Sequence, residues 1–477
     1  MSHPGHSVII AGGGPTGLML ALELGRAGVP TVVLEQRTEP YDDLRVGTFH
    51  SRLVDIFTER GLMDAIGEAP RWPGVHFGMI WLNLALIPSE YNLLVSQTMV
   101  EQLLEKHAVA AGADVRHGHT VTGFTQDPSG VTVEVRSDAG SYQLSGDYLV
   151  GCDGPDSAIR ELAGIDLVRS GKSWYGLIGD FTSYAGQFNA GVTPAGVFGI
   201  MPAGNGPWRL QALEFDRDVP SEPPTREELM QNLERMTGQR VEAGDLMWIR
   251  RYAGTTQLAA NYRAGRVYLA GESAHYYIPT ASHGLLTALG DAVNLGWKLA
   301  AAVRGWAPDG LLDSYHAERH LVGYRACQAS QAQMALMHPL DKVQALREIV
   351  QDLVGIEEVN RRLVTWLTDV PYPFAAEQDG ALVGHRVAHV ELTTTEGDQT
   401  STATALGTGR GVLIDLSGVG KLGDVSGWAS RVDVINAEPT PELDAPALLL
   451  RPDGYVAWSG DDRDGLDSAL TTWFGAP

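Results

Sequence analysis

The sequence predicts an α/β fold whose first unit is a Rossmann-like, dinucleotide-binding βαβ. Three observations predict it. Residues 7–11 form a short β-rich apolar run, after which Gly12, Gly14 and Gly17 fall at G-x-G-x-x-G spacing ahead of the helical pattern 18–27. A second strand, 31–34, ends in Glu35, eighteen residues after Gly17. Over two hundred residues later, the stretch 267–299 reads VYLAGESAHYYIPTASHGLLTALGDAVNLGWKL. Its apolar run 267–270 stops at Gly271 and Glu272, a loop with Pro279 and Gly284 follows, and an apolar-periodic helix starts at about Leu285. That order puts an acid and a helix N-terminus at the carboxyl end of a buried strand, where α/β proteins bind cofactors.

The glycine triad has a physical purpose at each end. Glycines permit a tight turn and let backbone N–H groups approach a pyrophosphate, the helix dipole favours its negative charge, and Glu35 can accept from a ribose hydroxyl. A glycine-rich turn alone is often only a turn. The strand before, the helix after and the acid at the next strand end together point to an ADP-containing dinucleotide.

Composition bounds the rest. At 477 residues the usual domain size gives roughly three domains. Hydrophobic residues are 44% and charged residues 19%, which supplies ample core and no disorder signature. The net charge of −23 argues against nucleic acid or an anionic membrane as partner. Cys152 and Cys327 are the two cysteines, far apart, so neither a disulfide framework nor a cysteine metal site is expected. The start of the chain carries no signal-peptide pattern and no stretch approaches ~18 uninterrupted apolar residues, so a cytoplasmic protein is expected.

A further cofactor element lies at residues 148–160. The strand end 148–150 leads into Gly151, Cys152, Asp153, Gly154, Pro155, Asp156, Ser157 and Arg160. An Asp-Gly there can equally be a turn, and Ser157 with Glu161 ordinary helix-start chemistry.

Between these elements the chain reads as an antiparallel sheet. Segments 75–87, 175–182, 197–201, 208–215 and 246–252 are short, β-rich and separated by Gly, Pro and Asn. Phe77, Met79, Trp81, Phe198, Met201, Trp208, Gln211 and Trp248 alternate on these runs and are candidate walls of an aromatic pocket, although such residues are more often core. Residues 311–368 read as helical, with Pro371 and Pro373 as linker; from Gly380 onward strands are expected at 411–415, 432–435 and 447–450. His316 and His320 share a helix face, and a solvated or core-edge pair explains them better than a metal site.

Together these segments resemble the class A flavoprotein monooxygenases of the para-hydroxybenzoate hydroxylase type, and within them the aromatic-polyketide hydroxylases of antibiotic biosynthesis. IIAGGGPTGLMLALEL is similar to that family's dinucleotide fingerprint, YLVGCDGPDSAIREL to its Asp-Gly motif and VYLAGESAHYYIPTASHGLLTALGDAVNLGWKLA to its Gly-Asp motif. DSYHAERHLVG, residues 313–323, is similar to the helix that follows, and LLLRPDGYVAW, residues 448–458, resembles the closing strands of a thioredoxin-like third domain. The resemblance spans almost the whole chain.

What it implies is specific. The expected architecture is an FAD-binding domain (1–74 with 98–180 and 264–310), an interleaved antiparallel-sheet substrate domain (75–97 with 181–263), a helical connection (311–375) and a thioredoxin-like domain (376–477). No cysteine follows Cys327, so the last domain cannot do dithiol chemistry. Carried over by motif, Gly12, Gly14, Gly17 and Glu35 would bind the ADP half of FAD, and Asp153 would lie near the pyrophosphate. Pro15, Thr16, Gln36 and Gln102 are further expected cofactor contacts. Gly271, Glu272, Pro279 and the backbone at Gly284, Leu285 and Leu286 would face the ribityl chain and flavin ring. Arg45, in LRVGTFHSR, matches the arginine beside the flavin, with a surface ion pair as its plain alternative. Phe77, Met79, Trp81, Phe198, Met201, Trp208, Gln211 and Pro279 are the expected substrate contacts.

The implied reaction uses NADPH or NADH and O2. FAD is reduced, oxygen adds to give a flavin hydroperoxide, and one oxygen passes to a large aromatic or polyketide-derived substrate by hydroxylation, with Baeyer–Villiger insertion or epoxidation as variants. No metal is required. Arg45 and His283 are the expected catalytic residues, while His50, Tyr91, His275, Tyr276, Tyr277 and His283 are candidates for a general base on which geometry must decide. A monomer or homodimer is expected.

The chain departs from the family pattern on the flavin side. The usual Gly-Asp is Gly271-Glu272, one methylene longer, and the usual Gly-Leu-Asn is Gly284-Leu285-Leu286. His283 stands where the family more often has a neutral residue. These departures keep open a flavin-fold protein that catalyses a non-oxygenating tailoring step. A disulfide or sulfide oxidoreductase is disfavoured, since the chain has no second glycine-rich βαβ fingerprint and no cysteine pair.

Overall fold

The computed structural model describes residues 6–39, 46–72, 74–87, 89–203, 206–278, 283–366, 368, 370–374, 382–418 and 421–477. In chain order, the elements that position the site are β1 (Val8–Ala11), α1 (Pro15–Arg26), β2 (Thr31–Glu35), β3 (Val46–His50) and α2 (Ser51–Glu59), then β4 (Asn92–Ser96), α3 (Gln97–Ala110), β5 (Tyr148–Gly151) and β6 (Leu167–Phe181). There follow β7 (Gly196–Pro202), β8 (Trp208–Phe215), α4 (Arg226–Thr237), β9 (Leu246–Ala259), β10 (Val267–Leu269), β11 (His275–Tyr276), α5 (Gly284–Val303) and α6 (Leu311–Met337). The last unit contains β12 (Gly411–Asp415), β13 (Val432–Asn436), β14 (Ala447–Leu450), β15 (Val456–Ser459) and α7 (Arg463–Phe474).

The first sheet runs in the order β10, β5, β1, β2 and Asp114–His117, all parallel, with the short strand Arg263–Ala264 antiparallel at one edge. Strands β1, β2 and β10 are buried along their whole length, as continuous apolar runs must be when helices cover both faces. Helices α1 and α5 pack together on this sheet. Gly296 makes their approach possible, because a Cβ there would come within 2.6 Å of the Glu23 Cβ.

The second sheet is antiparallel and contains Asn189–Thr193, β7, β8, β6, β9 and β11. Its register gives each face a separate job. One face carries Tyr175, Leu177, Phe198, Ile200, Leu210 and Ala212 and packs on α4. The other carries Trp174, Val197, Leu213 and Phe215 and packs with Tyr252, Tyr276 and Ile278 and with Met334 and Met337 of α6. Strands β6 and β9 are long, and β11 joins β9, so the antiparallel sheet is tied directly to the turn that follows β10.

The C-terminal unit is a four-stranded sheet in the order β13, β12, β14, β15, parallel between β12 and β13 and antiparallel elsewhere. One side packs Leu449, Trp458, Trp473 and Phe474 against Trp297 of α5 and Leu311 of α6. At the centre of that junction is a buried charge network. Glu318 of α6 accepts from Lys298 of α5 at 2.8 Å and from two Arg451 nitrogens at 2.8 Å each. Arg451 also pairs with Asp453 and lies over the Trp473 ring, 4.3 Å from its centroid. All four charged groups are fully buried or nearly so. Burial alone would raise the Glu318 carboxyl, but Arg451 and Lys298 hold it down at about 2, while burial pushes Lys298 down to about 8.

Removing one partner of such a network strands buried charge, which typically costs 3–5 kcal/mol. Glu318→Gln is therefore expected to lose roughly that much stability, read as a lower urea midpoint. The pH arm has a definite sign: because the folded carboxyl is depressed, its contribution is present above the ordinary 4.5 and disappears as pH falls through about 2. Wild-type stability should fall more steeply across that window than that of the Gln variant; parallel acid curves would disprove this role.

Candidate active site

Four strands of the parallel sheet end on one edge, and the sequence motifs end there with them. Gly12 follows β1, Glu35 closes β2, Asp153 follows β5 and Gly271 follows β10. Close backbone contacts, which only glycine allows, knit these ends together. A Cβ on Gly12, whose φ is +108°, would strike the Cys152 carbonyl, and one on Gly17 would strike the Gly12 carbonyl. Gly271, with φ +68°, would place a Cβ 2.5 Å from the Thr16 hydroxyl. The motif at residues 267–299 thus touches the N-terminal fingerprint directly.

Gly14 is different. It is the N-cap of α1 with no side-chain cap, Pro15 occupies the first turn, and a Cβ on Gly14 would meet nothing within 4 Å. Intrahelical bonding starts with Leu18 N–H to the Gly14 carbonyl, so the N–H groups of Thr16 and Gly17 precede the ladder. This is an open, positively polarised helix start. Glu35 stands beside it: one oxygen accepts from Gly13 N–H at 2.6 Å, the other from the Arg37 backbone and guanidinium at 2.8 and 2.9 Å. Burial works against its charge, but those bonds and the Arg37 charge keep the carboxyl below its ordinary range. A carboxylate accepts about four hydrogen bonds, so capacity remains for a hydroxyl.

Helix α5 repeats the arrangement. His283 is its N-cap without a side-chain cap bond, the ladder starts with Thr287 N–H to the His283 carbonyl, and a Cβ on Gly284 would meet nothing within 4 Å. Leu286 turns its side chain into the core, so what the helix start presents is backbone. Behind it, Asp291 is fully buried; its carboxylate accepts from Gly271 N–H at 2.9 Å, His275 at 2.7 Å and Arg319 at 2.7 Å. Burial opposes its charge, yet Arg319 and His275 hold the carboxyl below the ordinary range. A second tie is Arg160, which donates to the Ser273 carbonyl at 3.0 Å, while Ser273 donates to the Gly151 carbonyl at 2.6 Å.

Other expected residues have different surroundings. Asp153 is turned onto the short helix Ala158–Leu162, accepting from Ser157 Oγ at 2.6 Å and Ile159 N–H at 3.1 Å, and burial raises its carboxyl. Gln36 and Gln102 are exposed; on α3 it is Glu101 that is buried, 3.6 Å from Arg37 and bonded to Gln97 at 2.9 Å. Glu272 is exposed on the one-turn 3-10 helix Gly271–Ser273. Arg45 and Pro279 lie outside the described residues.

The expected pocket wall requires a correction. By register, Phe198 and Trp208 lie on the sheet face that packs against α4, whereas Met201 and Gln211 lie on the opposite face with Tyr252 and Tyr276. Alternation showed two faces but could not say which was which, since both carry apolar residues. Met79 joins the second face, Phe77 packs between Val75 and Leu336, and Trp81 is 41% exposed with its edge toward His76 and Phe188. The second face also holds Trp248, which alternation named, and Asp180 and Arg209, which it missed: Asp180 accepts from Arg209 at 2.8 and 2.9 Å and from the Trp248 indole at 3.0 Å.

Among the general-base candidates, His275 is committed to Asp291 and Tyr277 donates to Thr287 at 3.1 Å. Tyr91 lies under the Arg71 guanidinium. Tyr276 is pushed up by burial and by Glu272. His50 and His283 stack with ring centroids 4.8 Å apart; burial pushes His50 down to about 4 and His283 well below its usual value. The lowered values make both imidazoles weak bases, better suited to hydrogen bonding than to proton abstraction. His316 accepts from Tyr262 N–H at 3.3 Å, and its ring lies 4.8 Å from that of His320 at a tilt of 49°, as a core-edge pair. Among the described residues no group of three or more His, Cys, Asp or Glu could hold a metal, and no helix is long and apolar enough to cross a membrane.

FAD fits these residues on structural grounds: two open helix starts, space at Gly14 and Gly284, and a carboxylate at the end of β2 match a pyrophosphate, a ring carbonyl and a ribose. Comparison with known proteins agrees. An FAD binding domain matches residues 6–330 and the C-terminal domain of aromatic-ring hydroxylases matches residues 380–477. The chain is 41% identical to a dialkyldecalin synthase of Streptomyces rugosporus, covering 98% of this chain and 99% of that one. It is 38% identical to a rifampicin monooxygenase of Streptomyces venezuelae, covering 98% of each. The solved anhydrotetracycline hydroxylase of Streptomyces rimosus superposes with a TM-score of 0.92 at 36% identity over 99% of both chains.

Two glycine substitutions separate binding from folding. Gly14→Val should fold as the wild type does, because its side chain meets only open space, yet lose roughly 100-fold in FAD affinity, about 2.7 kcal/mol. Gly271→Ala should lose about 1–3 kcal/mol of stability as well, from its positive φ and the collision with Thr16. Flavin absorbance after desalting and thermal unfolding measure the two effects; a Gly14→Val protein that retains its flavin would refute the placement.

Proposed function

The chain belongs to the family of FAD-dependent aromatic-ring hydroxylases, and we propose that it is a monooxygenase that uses NAD(P)H and O2 to hydroxylate a large aromatic or polyketide-derived substrate. The observation that carries this reading is the meeting of two open helix starts and the Glu35 carboxylate on one sheet edge, joined through β11 to the broad mixed face of the antiparallel sheet. FAD, when bound, supplies the electron transfer and oxygen activation.

The chain's own residues do the rest. Thr16 and Gly17 N–H groups would take the pyrophosphate and Glu35 the adenosine ribose. The Gly284, Leu285 and Leu286 N–H groups would take a ring carbonyl, with the α5 dipole favouring negative charge there. On the substrate side, Tyr252, Tyr276, Met201 and Gln211 form a largely apolar surface closed at one end by Asp180 and Arg209. Such a surface excludes water and holds a flat polycycle with its reacting carbon toward the cofactor. We read residues 1–74, 98–180 and 264–310 as the Rossmann-like FAD-binding domain, 75–97 and 181–263 as the substrate domain and 376–477 as a thioredoxin-like unit with a structural role.

A second reading has a specific basis. A relative at 41% identity is named a dialkyldecalin synthase, and this chain carries Glu272 and Leu286 at its flavin end. A non-oxygenating tailoring step on the same fold would use the pocket as a template for a bound polyene or polyketide.

The two readings part in one experiment. Purified holoenzyme with anhydrotetracycline as probe should consume NAD(P)H faster than without it and place one oxygen atom from labelled O2 in the product. A yellow enzyme whose NAD(P)H consumption no polycyclic phenol stimulates would overturn the oxygenase reading in favour of the second. Glu272→Asp, which restores the usual family residue, is expected to keep or raise FAD affinity; a tenfold loss, about 1.4 kcal/mol, would mean that the turn has been rebuilt around the longer side chain.

A further inference from the structure

Large apolar side chains on the described surface are mostly scattered singly, which is ordinary. One group is not: Leu346, Ile349, Leu353 and Ile356 are 50%, 58%, 44% and 52% exposed. The first three lie on the helix Leu340–Val354 at the i, i+3 and i+7 spacing of one helical face, and Ile356 is the N-cap of the next helix, Glu357–Thr365. The helix already has a side that packs inward. Val350 and Val354 share a cluster with Ile80, Leu82 and Leu336, and Arg347 donates to the Gly78 and Leu336 carbonyls at 2.6 and 2.8 Å. Leu346, Ile349 and Leu353 carry the apolar sector past that contact and into solvent.

Charge and spacing say what fits this stripe. Lys342, one helical turn before Leu346, is exposed at one end, and Glu357 and Glu358, next to Ile356, are exposed at the other. The positions 342, 346, 349, 353 and 357 read almost the same from either end. A second copy turned end for end about Ile349 therefore sets Leu346 of one copy against Leu353 of the other, Ile349 against its own counterpart, and Lys342 against the two glutamates at both ends. A two-fold contact requires that kind of self-complementarity. A lipid surface with anionic headgroups fits less well, because the chain carries a net charge of −23.

We propose that Leu346, Ile349, Leu353 and Ile356 form the centre of an antiparallel, two-fold interface between two copies of this chain. An apolar centre with a charged rim is the usual anatomy of such a contact. An interface built around one helix pair falls at the small end of the size range, roughly 1,200 Å² in total, so the dimer dissociates on dilution. The inference is independent of which cofactor or substrate the chain takes.

Sedimentation velocity of the full-length protein from about 1 µM to about 100 µM should show the mass rising from one chain toward two. Ile349→Glu brings two carboxylates together at the two-fold axis and should stay monomeric throughout. Its melting temperature at the lowest concentration should match that of the wild type, because the side chain it replaces is already 58% exposed. The register has its own arms. Lys342→Glu should weaken dimerisation roughly tenfold by setting like charges against each other, and adding Glu358→Lys to that variant should restore it. Ile349→Cys should form a disulfide-linked dimer under mild oxidation, since residue 349 meets its own counterpart; neither native thiol, Cys152 or Cys327, is exposed. A wild type that is monomeric at the highest concentration would overturn the interface. An Ile349→Glu protein that dimerises as the wild type does would overturn it too, by placing the contact elsewhere. Failure of the paired charge reversal to restore dimerisation, or of Ile349→Cys to cross-link, would overturn the antiparallel register.

Discussion

The buried carboxylate of Asp291 is the constraint on which the arrangement of the site depends. An isolated charge in that position would be prohibitively costly, and it is tolerated because every side of it is used: Gly271 N–H, His275 and Arg319 all donate to it. Those three partners come from the turn after β10 and from α6, while Asp291 itself is on α5. The same Arg319 donates to the Thr287 carbonyl and the Tyr372 hydroxyl, and that hydroxyl meets Asn294, which also reaches Glu318 and Asp453. One continuous polar path therefore runs from the Gly271 turn to the C-terminal unit. A shift of α5 along its axis would break several charge-assisted bonds at once, so the helix start is held in place from behind.

That rigidity explains how the chain can dispense with side chains that its family uses. At Leu286 an apolar group replaces a polar one, and the structure simply buries it. What remains facing outward is backbone, whose N–H groups depend on the position of α5 and not on the residue type. Glu272 is similar in logic: the turn is held by Gly271 against Thr16 and Asp291, so a longer acid can extend outward without carrying the turn with it. Glu272 is exposed and Leu286 is turned into the core, while the bonds that hold the turn and the helix pass through Asp291.

Legibility of the sequence follows the same division. The fingerprint glycines and the strand ends at Glu35, Asp153 and Gly271 could be read because their signal is local: a strand, a turn and a helix in succession. The helical stretch after residue 311 and the C-terminal strands were legible for the same reason, from period and composition. Phe198 and Trp208 could not be placed, because both sheet faces carry apolar residues and the register that decides between them is set by pairing between separate strands. Asp291 was missed although it left a trace, a single acid in an otherwise apolar helix; its partners lie in a different turn and a different helix, so nothing nearby explained it.

The electrostatics of the flavin end follow from these pieces. Arg319 is close behind the α5 start, but Asp291 cancels its charge. His50 and His283 stand at its side, and burial keeps them neutral. Among the described residues, the positive potential there comes chiefly from the helix terminus itself, equivalent to about half an elementary charge. A dipole of that kind is fixed in place and insensitive to pH across the range where imidazoles in water would titrate. On the reading that FAD binds at α5, this helix start would receive a group that becomes more negative during turnover without placing a full countercharge against it.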